Sequence, residues 1–531
     1  MKTILLSIIF SFYFFANAQL NLHNIKYFNG YYLSCQDLIS LPDGGLMWIG
    51  GIDGNGPFNF PTPPHVDGYG ILMMRFDKDL NILWNKRIQG GVMSAIASKD
   101  GGFLLTGQTT SDTGIFAGHP LPPLPANKNI YVMKVDSVGN MLWVNTISGL
   151  YTANYNVYTI AETIDKGAFI AGITDTSGGD FGSHYGPMYS YDWFLAKFDN
   201  TGNKLWVKIK GGSYSDMQCK MISDENGGIY FTSFTGSSDY DLVNNIIPFN
   251  IGPHGYVGHW DSSGNTIWGR TCGGTGWNVL NEVYYDKQSE SVIVGGHTSS
   301  TDFDLQGHFN ASGSYDYWVM RFDTSGNLKW SNAWGGDEEE EVRSISKNNN
   351  TNNYLIGGYS YSKNGDLDSI HTQMNYDADA WLIALDSIGV LTRKRQIGGN
   401  KGDAISIVLN SPTKLFVCGS TESVDDDFST HTPQFTDGSI FIAELLDYPD
   451  MISDEDINNK IEVYPIPVSN NLFIKADGIY DYQLLDTRGR SFIQGKMDRH
   501  VNIDITLLST GMYVLNLRNN VTNITTKIIK Q

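Results

Sequence analysis

The sequence predicts an all-β chain, a seven-bladed β-propeller of four-stranded antiparallel blades followed by a small carboxyl-terminal β-sandwich. Three observations carry the prediction. An apolar strand ending in Asp recurs at Asp77, Asp136, Asp199, Asp261, Asp323, Asp386 and Asp447, with spacings of 59, 63, 62, 62, 63 and 61 residues. A second apolar run recurs in phase with it, as in Gly102 to Gly107, Ala168 to Gly172 and Leu415 to Gly419. The composition, with 58 Gly, 13% aromatic and 17% charged residues, suits turn-rich β structure rather than a helical bundle.

Each repeat reads as four strands, because its runs are short, β-branched or aromatic, and bounded by Gly, Asn or Asp. Repeating such a sheet radially gives a propeller. The seventh unit stops at Asp447 without a fourth strand, while Tyr27-Phe28-Asn29-Gly30 matches the end of one. The segment from Asn21 to Gly30 is therefore expected to complete the last blade and close the ring, removing exposed sheet edges. In Asp199-Asn200-Thr201-Gly202-Asn203-Lys204-Leu205-Trp206 the Asp caps a hairpin turn, Gly supplies positive φ, and Trp wedges between neighbouring blades.

Flanking segments complete the layout. Residues 1–18 read as a signal peptide: Lys2, an apolar stretch from Ile4 to Phe15, and Ala16-Asn17-Ala18 before Gln19. The propeller is assigned to 19–447, a polar linker to 448–460, and the last module to 461–531. No later segment reaches the roughly 20 apolar residues of a membrane span. Net charge is −20, and the acidity belongs to the propeller, since the residues after 458 hold 9 basic against 6 acidic side chains. Such a surface repels nucleic acid and anionic membranes. Cys35, Cys219, Cys272 and Cys418 have no metal-ligand spacing and read as buried free thiols.

The last module carries recognisable motifs: Tyr464-Pro465-Ile466-Pro467-Val468, Leu484 to Arg490, Ile503-Asp504-Ile505, Leu508 to Val514, and Lys527 to Lys530. Together they resemble the type A sorting domain of type IX (Por) secretion cargo, with Ile466 where that family usually has Asn. The resemblance implies the type IX machinery as partner, and a cargo released or attached to surface lipopolysaccharide. It also implies a sorting signal built on Tyr464, Pro465, Pro467, Asp486, Gly489, Gly511, Tyr513 and Lys527. The propeller units resemble repeats of similar length in secreted Bacteroidetes propellers, which implies a fold and no activity.

Chemistry is expected where blades connect. If first strands line the axis, the long loops between second and third strands share a face with the links between blades. Those loops hold His65, His119, His184, His254, His308, His371 and His431, one per blade, with acidic clusters at Asp239 and Asp241, Asp302 and Asp304, Asp366 and Asp368, and Asp425 to Asp427. The ligand-face candidates are His119, His184, His308, His371, His431, Asp302, Asp304, Asp366 and Asp368. A ring of imidazoles would suit a transition metal and single Asp-rich loops Ca²⁺. The preferred reading gives these residues local hydrogen bonds, so no cofactor is expected.

No nucleophile elbow, zinc-protease helix or phosphate-cradling loop is present. The expected role is therefore a non-enzymatic one, binding a glycan, a surface protein or another surface ligand. Two alternatives stand: a carbohydrate-active enzyme with an acidic pair near the channel, its carboxyls about 5 to 9.5 Å apart, and a structural surface protein.

Overall fold

A computed structural model of the chain describes Leu20 to Lys530 apart from residues 31, 54–57, 62–68, 124–126, 150–153, 176, 188–189, 243–251, 306–312, 368–376, 413, 434–437, 448–461, 465–467, 469, 487–489 and 519–522. The expected signal peptide and linker lie outside the described residues, as do His65, His308, His371, Asp368, Pro465, Pro467 and Gly489. The chain divides into two compact units, one over Gln19–Asp447 and one that includes Tyr448–Gln531.

In the first unit the described strands form seven four-stranded antiparallel sheets. Six follow one another in chain order, over residues 37–89, 91–147, 155–210, 216–272, 278–334 and 340–397. The seventh combines Asp403–Asn410, Leu415–Thr421 and Ser439–Asp447 with Leu20–Phe28 as its outer strand. In that pairing Tyr27 faces Phe441 and Leu20 faces Asp447. Repeated sheets of this kind are the blades of a β-propeller.

The second and third strands of a blade are buried on both faces, because a neighbouring blade covers each side. Gly70–Phe76, Asn129–Val135 and Asp379–Leu385 are buried at every position. Seven apolar clusters result, each drawn from two neighbouring sheets. One of them joins Phe416, Cys418 and Ile442 of the last sheet to Leu46, Trp48 and Leu72 of the first. Trp48, Trp193, Trp260, Trp318 and Trp381 are fully enclosed there. Burying a large apolar side chain contributes about 1.5–3 kcal/mol, so these junctions hold much of the fold's stability.

The turn between third and fourth strands is set by its Asp. In blade 3, Asp199 Oδ1 accepts the Thr201 and Asn203 amides at 2.9 Å, and Oδ2 accepts Asn203 Nδ2 at 2.9 Å. The same bonds recur at Asp77, Asp136, Asp261 and Asp323. Gly202 takes φ +86°, and a Cβ there would sit 2.6 Å from the Trp143 ring of the preceding blade. Turn and Trp thus form one inter-blade contact, reinforced by Trp143 Nε1 donating to Asn200 O at 3.0 Å.

Short 3-10 segments, such as Phe303–Leu305 and Asp426–Phe428, are the helical elements among the described residues. No helix among them is long and apolar enough to cross a membrane.

The second unit is a five-stranded antiparallel assembly. Its long strand Asn471–Asp486 pairs along one side with Ser491–Asp504, and on the other with Glu462–Tyr464 and then Gly511–Arg518. The sequence suggests two strands over 472–485, and the structure joins them through a register shift between Lys475 and Ile479. Asn523–Lys530 pairs with Gly511–Arg518. Leu472, Ile474, Leu484, Leu515, Leu517 and Ile528 fill the core of this unit.

Candidate functional site

The links between blades are built from the acidic loop residues. Asp239 Oδ1 accepts the Ser213 amide at 2.8 Å, Asp302 Oδ1 the Thr275 amide at 2.8 Å, and Asp425 Oδ1 the Asn400 amide at 2.9 Å. Two residues further on, Asp241, Asp304, Asp366 and Asp427 accept the amides of Gly211, Gly273, Gly335 and Gly398 at 3.2–3.3 Å. Arg270 adds an ion pair to Asp304, and Arg395 one to Asp427, each at 2.5 Å. Each loop therefore clamps the link that enters its own blade, with Asp302, Asp304 and Asp366 as parts of the clamp.

A buried acceptor lies beneath each of four clamps. Asp216 takes the Gly212 amide at 2.8 Å together with the Thr235 and Ser237 hydroxyls. Glu340, Asp403 and, in blade 5, Asn278 take the Gly336, Gly399 and Gly274 amides. Burial pushes the Asp216 carboxyl up to about 8, Glu340 to about 7 and Asp403 to about 6. Asp192, next to Asp216, is raised by burial to about 6.

The described histidines do not converge. His119 and His184 are half-exposed, with His119 Nδ1 3.3 Å from Thr146 Oγ1. His431 is buried, its nitrogens 2.6 Å from Ser423 O and 2.7 Å from Ser439 Oγ, and it stacks on Tyr27. His254, read from sequence as a loop residue, opens the strand His254–Trp260 and is buried. Among the described residues no three His, Cys, Asp or Glu side chains group as metal ligands.

Sequence reasoning placed first strands at the axis and kept an acidic pair near the channel as an alternative, but named no residue there. In six sheets the first strand breaks register once, leaving an extra residue: Met93, Tyr158, Gln218, Asn281, Arg343 and Ser406. Such bulges bend a strand and re-aim a side chain. Asn281, Arg343 and Ser406 line a cavity of about 610 Å³ together with Asp37, Lys220 and Glu282. Its walls come from the first strands of five blades, plus Tyr359 from a second strand.

This axial cavity carries both signs of charge. Lys220 Nζ lies 4.0 Å from Glu282 Oε2, and Glu282 chiefly holds its ammonium above the usual range. Burial raises the Glu282 carboxyl and lifts Asp37 to about 6, with Lys220 and the Ala95 amide opposing the latter shift. Arg343 Nη2 reaches Glu341 Oε2 at 3.2 Å, and Tyr359 OH donates to the same oxygen at 2.6 Å. The arrangement offers a polar ligand an ammonium, a guanidinium and two carboxyls on rigid strands. The four cysteines are free thiols, Cys35 half-buried and the others buried.

In the second unit Asp486 repeats the turn chemistry of the blades, accepting the Arg490 amide at 2.9 Å and Arg490 Nε at 2.7 Å. Gly511 opens its strand, and the buried Tyr513 donates its hydroxyl to Ser509 O at 2.9 Å. Tyr464 and Lys527 lie in the strands Glu462–Tyr464 and Asn523–Lys530.

A search of curated proteins finds no match to the chain. Among solved structures it is similar to the Neurospora crassa Pan2 WD40 domain, at 9% identity and TM-score 0.40 over 80% of this chain and 91% of that one. It is also similar to a DUF4221 family member from Bacteroides vulgatus, at 11% identity and TM-score 0.35 over 81% and 98%. A Bacteroides caccae protein of unknown function follows at 12% identity and TM-score 0.32 over 61% and 90%. Residues 462–531 match the family described as the secretion system C-terminal sorting domain. These residues are therefore a type IX sorting domain, and the protein that carries them is exported to the cell surface or released beyond it.

Proposed function

We propose that the protein is a closed seven-bladed propeller, exported after removal of residues 1–18, that binds a polar ligand without transforming it. Residues 19–447 form the binding body, 448–460 a linker, and 461–531 a small β-sandwich that addresses the cargo to the secretion machinery of a Bacteroidetes-type cell. Support for closure comes from Leu20–Phe28 completing the last sheet, and from the apolar cluster shared by the last and first sheets.

The axial cavity carries the binding reading. Its lining is supplied by five blades at once, so ligand groups would meet donors and acceptors held in fixed positions. A glycan or a segment of a surface protein has the matching hydroxyls, carboxylates and amides. On the loop face, His119 and His184 remain candidates for accessory contacts, over a framework to which Asp302, Asp304 and Asp366 belong.

A glycan array and a pull-down with surface proteins test this reading, each run with the purified chain and with a Lys220→Met, Arg343→Ala variant. Binding that the double variant loses by at least about tenfold supports it. Ligands held equally by both proteins would remove the axial cavity, and no ligand in either assay would favour a structural coat.

One observation favours a second reading, a carbohydrate-active enzyme: Asp37 and Glu282 are both raised by burial and both face Lys220. Release of reducing ends that Asp37→Asn and Glu282→Gln each abolish would establish it.

A further inference from the structure

One position on the third strand sets blade 4 apart from blades 3 and 5. In four blades a long cation stands opposite a Trp of the fourth strand: Arg75 with Trp84, Lys134 with Trp143, Lys197 with Trp206, and Arg321 with Trp330. Blade 4 places His259 there, opposite Trp268.

Arg75 and Lys134 pair with Asp43 and Asp100 of their own blades, whereas the cations of blades 3 and 5 reach the next blade. Lys197 passes over the Phe169 ring, 5.1 Å from its centroid, and donates to Ser262 O in the next blade's turn at 2.8 Å. Arg321 likewise donates to Ser387 O, beside the Asp386 turn of the next blade. His259 stops within its own sheet, 2.8 Å from Asp224. The matching turn residue, Thr324, lines an open cleft of about 520 Å³ with His259, Asp224 and Glu290.

Aromatic rings wall this cleft. Tyr230, which corresponds to Phe169, stacks on His259 at 4.4 Å and lies 5.1 Å from the Tyr285 ring, and Trp268 completes the wall. Thr324 O accepts Trp268 Nε1 at 2.9 Å. Ser387 O, its counterpart, takes both Trp330 Nε1 and Arg321, so such a carbonyl has room for an indole and a cation together. Ring faces, two carboxylates and a carbonyl are the partners that an ammonium or guanidinium group seeks.

We propose that the cleft between blades 4 and 5 is a binding site for an organic cation, a lysine- or arginine-type head group supplied by a ligand where blades 3 and 5 supply their own. The cation head lies against Tyr285 and Trp268 between Glu290 and Thr324 O, with Asp224 behind His259. The site is independent of the axial cavity, so either can fail without the other.

The test is calorimetric titration of the purified chain with n-butylammonium and methylguanidinium, and with the tripeptides Gly-Lys-Gly and Gly-Arg-Gly. Saturable binding of one cation at millimolar concentration is expected; binding of tripeptides alone would identify a peptide source, and equal binding of free cations a small-molecule one. His259→Lys installs the residue that blade 3 has as Lys197, fills the cleft from within, and should weaken binding at least about tenfold. Glu290→Gln and Tyr285→Ala, both at the rim, should each weaken it about threefold to tenfold and serve if the lysine variant does not fold. No binding by the unaltered chain, undiminished binding by the variants, or equal binding of neutral butanol would overturn the proposal.

Discussion

Asp199 and Asp216 are the same residue type at opposite ends of neighbouring sheets, and their surroundings drive them in opposite directions. At the solvent end, Asn203 and Thr201 feed hydrogen bonds into Asp199 and draw its carboxyl down to about 2. At the inter-blade end, burial outweighs the Thr235, Gly212 and Ser237 donors and lifts Asp216 to about 8. Both hold backbone in place. A recurring acid in this fold is therefore a structural part whose protonation depends on depth, and recurrence alone does not mark a ligand site.

The largest effect should come from emptying the deep site. Asp216→Ala leaves the Gly212 amide and the Thr235 and Ser237 hydroxyls without their acceptor, at a cost of about 1–3 kcal/mol in denaturant unfolding. Asp216→Asn should cost less than about 1 kcal/mol, because Asn278 fills the equivalent place in blade 5. A loss from Asn as large as that from Ala would show that a carboxyl is specifically required.

The two ends should also separate on a pH scale. Asp216, Glu340 and Asp403 hold their protons in the folded state above the pH at which an unfolded carboxyl ionises, so folding binds protons. Their stabilising contribution is complete below about pH 4 and is lost as pH rises through about 6 to 8. The turn residues Asp199 and Asp323 act the other way, contributing above the ordinary carboxyl range and losing their effect as pH falls through it. Melting temperature should thus peak on the acid side of neutrality and decline toward pH 8. Asp216→Asn should flatten the alkaline decline. A profile that rises from pH 5 to 8 would break the comparison.

The smallest effect belongs to the exposed end. Asp199→Ala should lower the denaturation midpoint by less than Asp216→Ala does, since water can replace the lost acceptor. Its trace should appear as a shallower acid limb.

How far these features were legible follows from how local they are. Strands and Asp turns repeat within a few residues, and the spacing of Asp77 through Asp447 exposes them. The pairing of Leu20–Phe28 with Ser439–Asp447 was legible as well, since the missing fourth strand and the orphan Tyr27-Phe28 segment match. The clamp formed by Asp302 and Asp304 was not, because its partners at Thr275 and Gly273 lie on a different connection. Asp37, Lys220, Glu282 and Arg343 escaped notice because each is a single polar residue on a different first strand. They stand at different offsets from the irregular residues of their strands, and the strand of Asp37 has none, so no shared spacing marks them. His259 escaped notice too, because its meaning needed the reach of Lys197 to the next blade.

Closure of the ring by the amino-terminal strand supports everything else, and hydrogen–deuterium exchange of the purified chain tests it most directly. The amides of residues 20–28 that face Ser439–Asp447 should be protected from exchange, while the alternate ones on this outer edge exchange faster. Exchange of residues 20–28 at the rate of a free peptide, with Ser439–Asp447 exposed beside them, would contradict it.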